Sequence, residues 1–147
     1  MINVLLVDDH VSFRKSLRYM LETTEDIRVV ATAANGVEAV AWARERCVDV
    51  AVVDISMPLM DGIEAARQIR EICRHTRVMM LSILDQPEYV QRALEVGAIG
   101  FVLKDAIDRD LLTGIRALAS GKRYFSQTIA EVAETYLKRG NNDSWAG

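Results

Sequence analysis

Five times along this chain a short apolar run gives way to a longer amphipathic stretch. The runs cover residues 4–7, 29–33, 50–53, 78–81 and 99–103. Four of them are solidly apolar rather than alternating, as strands covered on both faces must be. The second, within 28–34, is more mixed and reads as an edge strand. Between the runs, apolar residues recur at helical spacing: Phe13, Leu17, Met20 and Leu21; Val37, Val40, Ala41 and Ala43; then Ile63, Ala66, Ile69 and Ile72. A fourth set, Val90, Ala93 and Leu94, follows Pro87, which suits a first helical turn, and stops before Gly97. A fifth is expected over 108–120, capped by Asp108 and ended by Gly121. Strands alternating with helices through short loops predict an α/β fold with a parallel sheet and helices on both faces.

The polar residues gather where the apolar runs end. Asp8 and Asp9 close the first run, Asp54 the third, Ser82 the fourth and Lys104 the fifth. In an open parallel sheet the carboxyl ends of the strands share one edge, and ligands bind there where the strand order reverses. With the order 2-1-3-4-5 that point lies between the first and third strands. Asp8, Asp9 and Asp54 then meet in one crevice, with Ser82 and Lys104 beside them. Three carboxylates repel, and one lysine cannot neutralise them. A hard divalent cation such as Mg²⁺ can, because it takes one or two carboxylates together with water and phosphate oxygens. A carboxylate is also a nucleophile toward phosphorus, and phosphoryl transfer requires positive charge and hydrogen-bond donors around the phosphoryl oxygens. The residues therefore point to a metal-dependent phosphoryl-acceptor site.

Other chemistries are poorly served. The first turn, VDDHVSF, lacks the glycines of a dinucleotide or P-loop site. No GxSxG elbow is present. Taken singly, each residue has a plainer reading: Asp8-Asp9 as a helix cap, Ser82 as a strand-end hydroxyl, Lys104 as a solvated cation, Phe101 as core, Asp61-Gly62 as turn chemistry. Asp54 is harder to dismiss, since an acid between VV and IS is costly unless paired. A hydrolase of the haloacid-dehalogenase kind also uses an aspartate nucleophile, but it needs DxD after its first strand, where this chain has DDH.

The net charge of −3 gives no footprint for DNA or an anionic membrane, and no apolar run approaches the ~20 residues of a membrane span. The first ten residues, MINVLLVDDH, turn acidic too soon for a secretory signal. Two cysteines, Cys47 and Cys73, fall in helical patterns and are expected as reduced thiols of a cytoplasmic protein.

VDDH at 7–10, VVDISMPLMDG at 52–62, MLS at 80–82 and GFVLKD at 100–105 together resemble the receiver domains of bacterial two-component response regulators. ALASGKRYFSQTIAEVAETYL, 117–137, resembles the end of a receiver in the NarL/FixJ, LuxR-type subfamily and the start of its linker helix. The resemblance implies the flavodoxin-like, CheY-like doubly wound fold with five parallel strands in the order 2-1-3-4-5. It implies a receiver over 1–121, a linker helix over 122–140 and a disordered tail over 141–147. Asp54 becomes the phosphoacceptor. Asp9, Asp54 and the backbone carbonyl of Ser56 would ligate Mg²⁺, with Asp8 acting through water. Lys104 and Ser82 would contact the phosphoryl group, and Phe101 would be the aromatic switch. The partners implied are a sensor histidine kinase as donor and a weak, phosphorylation-enhanced homodimer. The domain is a switch that assists its own phosphorylation and dephosphorylation rather than an enzyme. Transcription would be controlled through a LuxR-type domain not found in this chain, which itself is expected to bind no nucleic acid and no membrane. Its last helical pattern carries Glu131 and Glu134 beside Lys138 and Arg139, which is no basic stripe.

Overall fold

A computed structural model describes residues 1–83 and 85–146, and side chains up to residue 139. The chain runs β1 (Ile2–Val7), α1 (Val11–Glu22), β2 (Ile27–Ala33), α2 (Gly36–Glu45), β3 (Val50–Asp54), α3 (Gly62–Ile72), β4 (Arg77–Ser82), α4 (Pro87–Glu95) and β5 (Gly100–Leu103). A 3-10 turn at Lys104–Ala106 leads into α5 (Ile107–Ala119), then β6 (Tyr124–Phe125) and α6 (Gln127–Ala146). All neighbouring strands are parallel, in the order β2-β1-β3-β4-β5-β6.

The period of two in a strand splits the core into two layers. Val4, Leu6, Val50, Val52, Met79, Leu81 and Val102 face one way, against Leu17 and Leu21 of α1 and Leu111, Ile115 and Leu118 of α5. Leu5, Val7, Ala51, Val53, Val78, Met80 and Phe101 face the other way, against α2, α3 and α4 and against Ile129 and Ala133 of α6. Both faces are covered, which is why the strands are apolar throughout. β2 alternates buried with exposed and half-buried positions, as the edge strand its sequence suggests.

Helix starts follow local chemistry. Asn35 caps α2 by accepting from the Glu38 amide at 2.9 Å, and Asp61 caps α3 by accepting from the Glu64 amide at 2.9 Å. Pro87 opens α4. Gly121 takes the left-handed conformation, φ 87°, that ends α5.

The structure departs from the sequence reading at several points. The sheet has a sixth strand, the two-residue β6, which pairs Gly100 with Tyr124 and Phe101 with Phe125. Asp108 is not the cap of α5: the 3-10 turn carries the chain into the helix, and Asp108 lies in its first turn. Cys47 and Cys73 are joined in a disulfide with Cα atoms 5.6 Å apart, not reduced thiols. Cys47 lies just beyond α2 and Cys73 caps α3, so two adjacent helix ends meet below the strand starts. The expected helix stop at Gly140 is not where the helix ends: the α6 backbone runs on to Ala146, through most of the segment expected as a tail.

Candidate phosphoryl-acceptor site

The first and third strands end side by side, with Val7 in register with Val53. Asp8 follows one and Asp54 ends the other, and both side chains are buried, at 0 % and 2 % exposure. Two carboxylates that deep need a partner. Lys104, one residue past β5, supplies it: its Nζ lies 3.1 Å from Asp8 Oδ2 and 3.1 Å from Asp54 Oδ2. The same ammonium sits 4.6 Å from the centre of the Phe13 ring, a cation–π contact.

The remaining oxygens are tied locally. Asp8 Oδ1 accepts from the His10 amide at 2.8 Å, and Asp54 Oδ1 accepts from the Ser56 amide at 3.3 Å. Arg14 of α1 donates to the Asp8 carbonyl at 2.6 Å. Burial pushes the Asp54 carboxyl above its ordinary pKa, opposed by Lys104 and reinforced by Asp8. Burial also works against the Lys104 ammonium, but the Asp54 and Asp8 carboxylates outweigh it and hold that pKa above the ordinary amine value. One ammonium thus faces two buried carboxyl groups.

Asp9 completes the cluster. Its Oδ1 is buried without a hydrogen bond, although His10 Nδ1 lies 3.1 Å away. Asp8, Asp9, His10 and Asp54 can each turn one ligand atom to within 4.8 Å of the others. An orphaned carboxylate oxygen beside two buried carboxylates, with oxygen donors predominating, fits a hard divalent cation.

Ser82 ends β4 buried, at 2 % exposure, with Leu103 opposite it in β5. Ser56 is exposed on the loop after β3. In that loop Leu59 holds φ 70°, rare for a side chain of its size. The loop closes onto Gly62, where a Cβ would lie 2.0 Å from the Asp54 carbonyl oxygen, so only glycine lets α3 start this close to the acid. Phe101 is buried at 1 % exposure in the layer beneath α4 and α6.

The structure thus brings Asp8, Asp9, Asp54 and Lys104 into contact range and sets Ser82 and Ser56 at the same sheet edge. Phe101 lies within the core, not at the acids. Sequence reasoning missed three contributors. Phe13 reads as core by its spacing, and neither Arg14 nor Asp110 stands out in the sequence. Asp110 is in fact 5 % exposed, accepting from Tyr124 Oη at 2.7 Å and Ser126 Oγ at 2.9 Å. A buried acid with hydroxyl partners fourteen and sixteen residues away carries no local signal.

The family model of the response regulator receiver domain matches residues 4–116. The response regulator UvrY of Escherichia coli (strain K12) is 38 % identical over 131 residues, covering 89 % of this chain and 60 % of UvrY. The oxygen regulatory protein NreC of Staphylococcus aureus (strain JH9) is 33 % identical, covering 96 % of this chain and 66 % of NreC. The chain therefore spans about three-fifths to two-thirds of these relatives' length. Among solved structures, a LuxR-family two-component response regulator from Aurantimonas sp. SI85-9A1 superposes with a TM-score of 0.86 at 32 % identity, over 92 % of this chain and 96 % of that one. The signal receiver domain of the putative response regulator NarL from Mycobacterium tuberculosis gives 0.78 at 34 % identity, over 82 % of this chain and 98 % of that one. With its sheet order, its acidic strand ends and these matches in agreement, the chain belongs to the response regulator receiver family, in the LuxR-type branch its relatives represent.

Proposed function

We propose that Asp54 is the phosphoacceptor of this receiver, taking its phosphoryl group from the phosphohistidine of a sensor histidine kinase. The observation that carries this reading is the Lys104 ammonium held 3.1 Å from both Asp54 and Asp8. An Asp54 carboxylate oxygen attacks phosphorus, the P–N bond breaks, and the leaving imidazole keeps the electron pair and takes up a proton. Lys104 is placed to pass from the carboxylate to the phosphoryl oxygens, where charge accumulates. Ser82, at the neighbouring strand end, hydrogen-bonds a phosphoryl oxygen. Asp9, Asp54 and the Ser56 carbonyl would hold Mg²⁺, with Asp8 behind them through water; the cation would neutralise charge on the phosphoryl oxygens.

The switch follows from the same geometry. Drawing Ser82 and Lys104 toward the phosphoryl group perturbs β4 and β5, and with them Phe101 under α4. Such a local charge change biases a two-state element. The output is a weak homodimer strengthened by phosphorylation, and transcription is controlled through a LuxR-type DNA-binding domain. Residues 1–147 bind no DNA themselves. Among the described residues no helix is long and apolar enough to cross a membrane, and the setting proposed is the cytoplasm.

The test is intact-mass analysis after incubation with Mg²⁺ and acetyl phosphate. One phosphoryl group is expected on the wild type, none on Asp54→Ala, and little after chelation. Equal labelling of Asp54→Ala would sink the assignment.

A further inference from the structure

The segment joining the receiver to α6 reaches back to the residue beside Lys104. Ser126, 2 % exposed, accepts through Oγ from the Leu103 amide at 3.0 Å and donates to Asp110 Oδ2 at 2.9 Å. The amide N–H can only donate, so Oγ accepts there and the hydroxyl hydrogen is left for the acid. The hydroxyl is thus fixed between Leu103 and α5. Asp110 is held in turn by Tyr124 Oη at 2.7 Å. The Ser126 backbone joins the same bracket: its amide donates to the Phe101 carbonyl at 3.0 Å, and its carbonyl accepts from Ile129 at 2.8 Å and Ala130 at 3.0 Å, opening α6. One residue therefore ties β5, α5 and α6 together.

Leu103 is the last residue of β5, and Lys104 begins the 3-10 turn immediately after it. The Leu103 amide sits at the hinge from which the Lys104 side chain reaches Asp8 and Asp54. We infer that Ser126, anchored by Asp110, is a positioning residue for Lys104: its hydroxyl fixes the β5 end so that the ammonium stays between the two acids. The functional part of this inference rests on the role given to Lys104 above; the positioning part does not. Because Ser126 also opens α6, the influence runs both ways. A linker that holds Lys104 in place is itself released or tightened when Lys104 moves to a phosphoryl group, as reciprocal coupling between two sites requires.

Two measurements on the full chain separate the parts. The first is competitive acylation of the four lysines by an amine-reactive reagent, read by mass spectrometry without phosphodonor. Lys104 is 15 % exposed and paired, while Lys15, Lys122 and Lys138 are exposed and serve as internal references. Ser126→Ala should raise Lys104 reactivity roughly fivefold, the equilibrium worth of about one net hydrogen bond. Ser126→Thr, which keeps the hydroxyl, should restore protection. Asp110→Asn, which keeps the shape but weakens the acceptor, should give a smaller rise. Ile129→Ala removes core volume from α6 and keeps the backbone amide that donates to Ser126, so it should lower the melting temperature and leave Lys104 protected. The second measurement is the rate of Asp54 labelling by acetyl phosphate. Ser126→Ala should slow it in wild type and add nothing in a Lys104→Ala background. If Ser126→Ala and Asp110→Asn both change Lys104 reactivity by less than about twofold, below the worth of one hydrogen bond, the positioning role is overturned. If reactivity rises but labelling is unaffected, positioning stands and the role of Lys104 in phosphoryl transfer falls.

Discussion

Asp54 is held against its own charge. It is almost fully buried, its carboxyl pKa is raised by that burial and by Asp8, and the opposing pull of Lys104 is shared with Asp8. A residue placed for reaction rather than for stability is one whose neutral replacement stabilises the fold. Asp54→Asn keeps the volume and an oxygen for the Ser56 amide, removes one desolvated anion, and leaves Lys104 paired with Asp8. Without metal, this variant should be more stable than wild type by about 0.5–2 kcal/mol. Urea denaturation in EDTA checks it, and an equal or lower midpoint would show that the Lys104 pairing outweighs the burial cost. At this scale the sequence was most legible where residues end strands, because the parallel sheet fixes where strand ends go. Asp8, Asp9, Asp54 and Lys104 were found that way. Phe13 and Arg14 were not, because their contacts to Lys104 and to the Asp8 carbonyl depend on how α1 rotates over β1.

Among elements, β6 shows how little sequence signal a strand can carry. Tyr124 and Phe125 are only half-buried, and a two-residue strand has no periodicity to detect. What holds it is pairing with β5 and the hydrogen bond from Tyr124 Oη to Asp110 Oδ1 at 2.7 Å. Burial raises the Tyr124 pKa above the ordinary phenol value, and the Asp110 carboxylate adds to the shift, since the neutral phenol donates to it and a phenolate would repel it. The sign of the linkage follows. A group whose pKa is higher in the folded state contributes stability that is fully present below the unfolded value and lost as pH rises through the folded value. The fold should therefore weaken above pH ~10, the ordinary tyrosine value, and Tyr124→Phe should be less stable at neutral pH but lose less on the way up. Alkaline titration at 295 nm should show one of the four tyrosines ionising after the rest. Its loss in Tyr124→Phe identifies it, whereas a late phase persisting in that variant would refute the assignment. The start of α5 was misplaced for a related reason. Asp108 has the chemistry of a cap, but the 3-10 turn at Lys104–Ala106 already delivers the chain in helical direction, and Ile107 is drawn into the core.

For the whole molecule, buried parallel strands and helical periodicity made the architecture legible, while the strand order came from the resemblance to receivers and in turn placed the three acids at one switch point. The Cys47–Cys73 bridge was not legible, because the two residues lie 26 apart and in different elements. Only the fold shows that the ends of α2 and α3 converge. The bridge crosses the N-terminal ends of the strands, since Cys47 precedes β3 and Cys73 precedes β4, while Asp54 lies at the other end of β3. Stability and site chemistry are thus separable along one strand. Closing a loop of this length restricts the unfolded chain and should stabilise the fold by about 3–4 kcal/mol. Reduction should lower the urea midpoint accordingly, with Cys47→Ser reproducing the loss and reductant adding nothing further to that variant. Labelling of Asp54 at temperatures where the reduced protein is still folded should be unchanged, because neither sulfur approaches the acidic edge. Two titratable thiols in denatured, unreduced protein would refute the bridge itself. Loss of labelling on reduction, with the fold intact by circular dichroism, would show instead that β3 transmits the constraint along its length to Asp54.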